Sequence, residues 1–179
     1  MSQYVAFLRA INVGGHVVKM DRLREIFQAT GFTDVETFIA SGNVLFDSGS
    51  RKVPALESKI ELSLKKVLGY DVATFIRSHA ELVAVLEHRP FAANVVDGQV
   101  IYVGFTNASP PKPVRESVAA LSGELDELHV NGREIYWLCR KSFSKSEISG
   151  ALIEKALGTP VTIRNINTVR RIVAKLGKD

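Results

Sequence analysis

The chain has 179 residues, 46% hydrophobic and 23% charged, ordinary proportions for a soluble globular protein with room for one good core or two small ones. Its apolar runs, such as VAFL and VIYVGF, are far too short to cross a bilayer, and its N-terminus enters a strand pattern with no basic leader, so no membrane span and no signal peptide are expected. The net charge of +4 is gathered late: residues 140–178 hold nine Lys or Arg against two acidic residues, a field that favours an anionic partner or simply keeps a helix face solvated.

In chain order, Tyr4–Ile11 reads as a central strand, broken by Asn12-Val13-Gly14-Gly15. Leu23, Ile26 and Phe27 recur at helical spacing up to a stop at Gly31. Val35–Ala40 and Val44–Asp47 read as strands joined through a turn at Ser41-Gly42-Asn43. Pro54 opens a helix whose expected buried stripe is Leu56, Ile60, Leu64, Val67 and Leu68, ended by Gly69. Val72–Arg77 is a fourth strand, and Ser78-His79-Ala80-Glu81 is a capping box for a short helix with Leu82, Val85 and Leu86 inward.

The second half repeats the series. Val100–Thr106 is a strand, and Ser109–Pro113 leads into a helix expected to end near Gly123. Glu127–Val130 and Glu134–Arg140 flank Asn131-Gly132, a strong hairpin signal. Ser144–Glu147 has the form of another capping box, for a helix carrying Ile148, Leu152, Ala156 and Leu157. Val161–Arg164 is the last strand, and Asn167 or Thr168 is expected to cap a final helix with Val169, Ile172, Val173 and Leu176 on one side. The order β-α-β-β-α-β, twice, is the split βαβ pattern. The expectation is an α+β protein of two tandem ferredoxin-like units, each βαββαβ plus a trailing helix, packed into one compact protein. The first unit spans residues 1–89, a connection 90–99, and the second unit 100–179. The strands are apolar on both faces, so each sheet needs a second cover besides its helices: the other copy or a second subunit.

The strings LRAINVGG at 8–15, ASGNVLF at 40–46 and ALIEKALGTPVTIRNINTV at 151–169 are familiar together. They resemble a bacterial domain-of-unknown-function family whose members open on L-R-G-I-N-V-G-G, carry S-G-N-V-x-F and close on T-x-R-N-W-N-T-V. The resemblance runs from end to end and implies a tandem ferredoxin-like fold with no established activity. Ala10 stands where the family usually has Gly and Ile166 where it usually has Trp, both read as packing changes. Arg9, Asn12, Ser41, Asn43, Arg164, Asn165, Asn167 and Thr168 match the pattern.

Arg9 to Gly15 has the makings of an anion-binding turn, because glycines let backbone N–H groups approach a phosphate or carboxylate; the alternative is a turn that needs positive φ. It fits neither the dinucleotide nor the P-loop spacing, and no cofactor is expected. Arg164 to Thr168 ends a strand and opens a helix, so its polar groups gather at a positive dipole end; plain capping is the alternative. The candidate ligand- or anion-binding set is therefore Arg9, Asn12, Gly14, Gly15, Ser41, Asn43, Arg164, Asn165, Asn167 and Thr168. Arg170, Arg171 and Lys175 are candidate nucleic-acid contacts. His16, His79, His88 and His129 are scattered, so no metal site is expected, and catalytic residues are not legible. The lone Cys139 excludes an internal disulfide and suits a reducing cytoplasm as a small core residue. Three functions follow: a binding module for a phosphate- or carboxylate-bearing ligand, a nucleic-acid-associated protein, or an enzyme of unread reaction. The protein is expected to be a monomer or homodimer.

Overall fold

Val5, Ala6, Phe7 and Leu8 are all shut from solvent, which places β1 (Ser2–Leu8) in the interior of a sheet rather than at its rim. The structure, a computed structural model, describes residues 1–91, 97–141 and 146–177, with the side chains of Ala40 and Ser41 left out. The first part of the chain continues with α1 (Met20–Ala29), β2 (Thr33–Phe38), β3 (Ala40–Ser48), α2 (Val53–Leu68), β4 (Thr74–Ser78) and α3 (His79–Glu87). The second part carries β5 (Val100–Phe105), α4 (Lys112–Ala119), β6 (Asp126–Asn131), β7 (Glu134–Cys139), α5 (Gly150–Leu157), β8 (Thr162–Asn165) and α6 (Ile166–Leu176). The strands form two four-stranded antiparallel sheets, ordered β2-β3-β1-β4 and β6-β7-β5-β8. Each is the ferredoxin-like order, with the first strand of its series between the third and the last.

The chain divides into two compact units: Met1–Val83 together with the chain from Ile172 on, and Ala84–Arg171. In the first unit, Leu23, Ile26 and Phe27 of α1 and Leu56, Ile60 and Leu64 of α2 pack on Tyr4, Ala6, Leu8, Val44, Phe46 and Ile76. Burying such a side chain contributes roughly 1.5–3 kcal/mol. The opposite face of this sheet holds Val5, Phe7, Leu45 and Phe75, also buried. The end of α6 lies on that face: Lys175 Nζ stands 3.0 Å from Glu36 Oε2, and Leu176 shares a small cavity with Leu45. In the second unit, Val118 of α4 and Ile153 and Leu157 of α5 pack on Leu128, Ile135, Trp137 and Cys139. The end of α3 meets the other face, where the Tyr136 hydroxyl donates to the Val85 carbonyl at 3.3 Å.

Several sequence expectations shift. The β2–β3 reversal turns on Ile39, not on Ser41-Gly42-Asn43: Phe38 pairs with Ala40, and Ile39 takes φ 68°. A β-branched residue rarely adopts that conformation, so turn composition pointed elsewhere. Val67 is 42% exposed rather than part of the α2 stripe. Helix α4 stops at Ala119, and Leu121 and Ser122 tighten into bonds to the carbonyls three residues back. The hairpin turn is Gly132-Arg133, one residue late, because Asn131 pairs with Glu134 and Gly132 supplies φ 59°. Helix α5 is capped by Ser149, whose Oγ accepts from the Leu152 N–H; Ser144 and Lys145 of the expected box lie outside the described residues. Leu152 is consequently 36% exposed, and Ile148, buried, precedes the helix. The capping box at Ser78 and Glu81 forms as expected.

Candidate functional site

On β7, Tyr136 alternates away from Ile135 and Trp137, so its ring stands on the sheet face opposite α4 and α5. The His88 ring, just past the end of α3, sits 4.9 Å from it at 49°, and the His129 ring lies 5.4 Å from His88. Beside these rings is a cavity of about 440 Å³ lined by Val85, Leu86, His88, Arg89, Pro90, Phe91, Ile101, Tyr136, Ile166 and Arg170. Its size is that of a small-molecule site, and its wall mixes aliphatic, aromatic and basic groups.

The basic groups of this wall meet no carboxylate among the described residues. Arg89 has no hydrogen bond or ion pair from its side chain among the described residues. Arg170 Nη1 donates to Asn167 Oδ1 at 2.6 Å and meets no carboxylate among the described residues. His88 Nε2 is sealed from solvent with no hydrogen-bond partner among the described residues, a costly state for a ring nitrogen. Among the described residues no acidic side chain lines the cavity. Desolvation pushes the Tyr136 phenol well above its ordinary range, with Glu134 adding to the effect, so Tyr136 remains a neutral donor. Desolvation first, and His88 second, hold the His129 pKa down, while Glu127 opposes them.

Of the sequence-derived residues, Arg170 lines this cavity, while Asn165 and Asn167 flank Ile166, which also lines it. Asn165 caps α6: its Oδ1 accepts the Asn167 N–H at 2.8 Å, so the cap is neither Asn167 nor Thr168. Asn167 in turn holds Arg170. Arg164 lies one strand position before the cap, with Nη1 donating to Thr162 Oγ1 at 2.8 Å and to the Ile163 carbonyl at 2.9 Å. Desolvation lowers its pKa to about 10. Thr168 is partly buried, Arg171 is exposed, and Lys175 is engaged with Glu36.

The remaining members belong to the first unit. The Arg9 N–H donates to the Ala73 carbonyl at 2.9 Å. Asn12 Oδ1 accepts the Val18 N–H at 2.7 Å, Tyr70 donates to the Ile11 carbonyl at 2.9 Å, and His16 stacks on Tyr70 at 4.2 Å. Gly14 and Gly15 take φ 63° and 84°, which meets the turn's need for left-handed backbone. Ala10 takes φ 56°, so its place in the family pattern concerns backbone conformation rather than packing. Asn43 is buried within β3, opposite Phe7, and its Nδ2 donates to the Phe38 carbonyl. Ser41 lies in β3 with its side chain outside the described residues. Sequence reasoning missed His88, Arg89, Phe91 and Tyr136. The only local signal was His-Arg-Pro-Phe at the head of the connection. Among the described residues no three His, Cys, Asp or Glu side chains cluster as a metal site would.

Two ferredoxin-like sheets, each backed by a helix pair, define the class of the molecule. The chain belongs to the family described as "Protein of unknown function (DUF1697)", which it matches over residues 1–136. It is similar to a solved structure of the conserved bacterial protein SP0830 from Streptococcus pneumoniae, at 27% identity and TM-score 0.78, over 99% of each chain. No curated protein matches it. No helix among the described residues is long and apolar enough to cross a membrane.

Proposed function

We propose that the protein binds a small molecule bearing a phosphate or carboxylate, in the cavity of the second unit. One observation carries the reading: two arginines that meet no acidic partner among the described residues line a cavity of about 440 Å³ whose described wall holds no carboxylate. Guanidinium groups are suited to bidentate capture of such anions, and the aliphatic wall suits an apolar body. The sequence reading named the same ligand class and joined the glycine turn to the string from Arg164 to Thr168. In the first unit the side-chain Oδ1 of Asn12 and the two glycines serve the turn itself.

Calorimetry of the full chain with benzoate, phenyl phosphate and benzyl alcohol tests this. The two anions bind and the alcohol does not. Arg170→Ala weakens anion binding about tenfold, the loss of one charge-assisted bond, with the ligand-free melting midpoint nearly unchanged. Equal binding of the neutral alcohol, or an Arg170→Ala variant that binds like the wild type, rejects the reading.

A further inference from the structure

We infer that the ligand of this cavity is a phosphate monoester carrying an aromatic ring, a step that rests on the binding reading above. The first argument is charge. Arg89 and Arg170 both line the cavity, and among the described residues no acidic side chain does. Arg89 is unpaired among the described residues, and Arg170 is bonded only to the neutral amide of Asn167. A carboxylate brings one charge and two acceptor oxygens to these guanidinium groups. A phosphate monoester brings −1.5 to −2 charges at neutral pH and three acceptor oxygens, so it compensates both arginines at once.

The second argument is the wall. Phe91, Tyr136 and His88 supply three rings, the last two tilted against each other at 4.9 Å. Aromatic partners gain from tilted and edge-to-face contact beyond the area they bury. Guanidinium planes also stack on an aromatic face and find no equivalent on a saturated body. Ile101 and Ile166 complete the apolar wall without adding a competing polar group.

The test is calorimetry of the full chain with phenyl phosphate, cyclohexyl phosphate and benzoate. Phenyl phosphate binds about tenfold tighter than benzoate, from the additional charge-assisted bonds. It binds at least about threefold tighter than cyclohexyl phosphate, from the ring. Arg89→Ala brings phenyl phosphate down to the level of benzoate. Phe91→Leu brings it down to the level of cyclohexyl phosphate. Benzoate binding as tightly as phenyl phosphate overturns the phosphate assignment, and cyclohexyl phosphate binding as tightly overturns the ring assignment. Either result leaves an anion site standing. Failure of all three probes to bind overturns the cavity reading itself.

Discussion

Val5 in the first sheet and Val103 in the second hold the same place, each at the centre of a row of side chains that crosses all four strands. In the first unit the row runs Glu36, Leu45, Val5, Arg77; in the second it runs His129, Tyr136, Val103, Arg164. Both rows end on an arginine of the last strand, and each of these donates Nη1 to the carbonyl of the preceding isoleucine. The other ends differ. In the first unit Glu36 is closed by Lys175, beside an open groove whose wall carries Asp34 and Asp47. In the second, imidazole and phenol stand beside a cavity with two arginines and, among the described residues, no acid. One architecture has been given opposite electrostatics on equivalent faces. The lesson is that the sheet order fixes where a ligand face lies, while a few side chains past the strand ends decide what it attracts.

The largest expected effect comes from cutting the chain. The first unit includes the end of α6, with Ile172 and Leu176 buried. A fragment of residues 1–88 therefore lacks part of its own unit, and should show no cooperative thermal transition by calorimetry; a sharp, reversible transition in a soluble monomeric fragment breaks this account of the first face.

Next come the paired arginines. Arg77 is fully buried and Arg164 only partly. Arg77→Ala leaves a sealed void and an orphaned carbonyl, costing about 3 kcal/mol, whereas water can replace the Arg164 guanidinium, so Arg164→Ala costs about 1 kcal/mol. Urea unfolding of the two variants measures the gap, and equal losses would show that the two positions are not distinguished by burial.

Ala6 and Gly104 are likewise equivalent, one step along from the two valines. A Cβ at Gly104 would meet Val161 Cγ2 at 2.9 Å, so Gly104→Ala should cost about 1–3 kcal/mol by overpacking, where Ala6 already carries its methyl group without exposure. The smallest effect is a gain. Ala10 sits at φ 56°, and Ala10→Gly should raise stability by about 0.5–1 kcal/mol, read as a higher urea midpoint with unchanged slope.

The architecture was legible because local signals agreed with it: helical stripes on α1 and α2, glycine stops at Gly69 and Gly158, and a capping box at Ser78. Where local composition and tertiary demand parted, the reading slipped. Gly42 and Asn43 look like turn residues but lie in β3, where Asn43 pairs with Phe7 of β1, and the true reversal falls on an isoleucine that no propensity would choose. The cap of α6 falls two or three residues before the expected Asn167 or Thr168, because Asn165, Asn167 and Thr168 can each cap a helix, and backbone geometry selects Asn165. The site was legible only in Arg170, which lines it, and in Asn167, which holds Arg170. Its other wall comes from residues 85–91, Ile101 and Tyr136, which are brought together by strand pairing and the path of α3. No spacing within the sequence encodes that meeting.

The central claim is that the second unit, and not the glycine turn of the first, holds the anion. Amide-resolved NMR of the full chain during titration with phenyl phosphate tests it most directly. The account predicts saturable shifts at Leu86, His88, Arg89, Ile101, Tyr136, Ile166 and Arg170, with Asn12 to Gly15 unmoved. Saturable shifts centred on Asn12 to Gly15, or none anywhere, would contradict it.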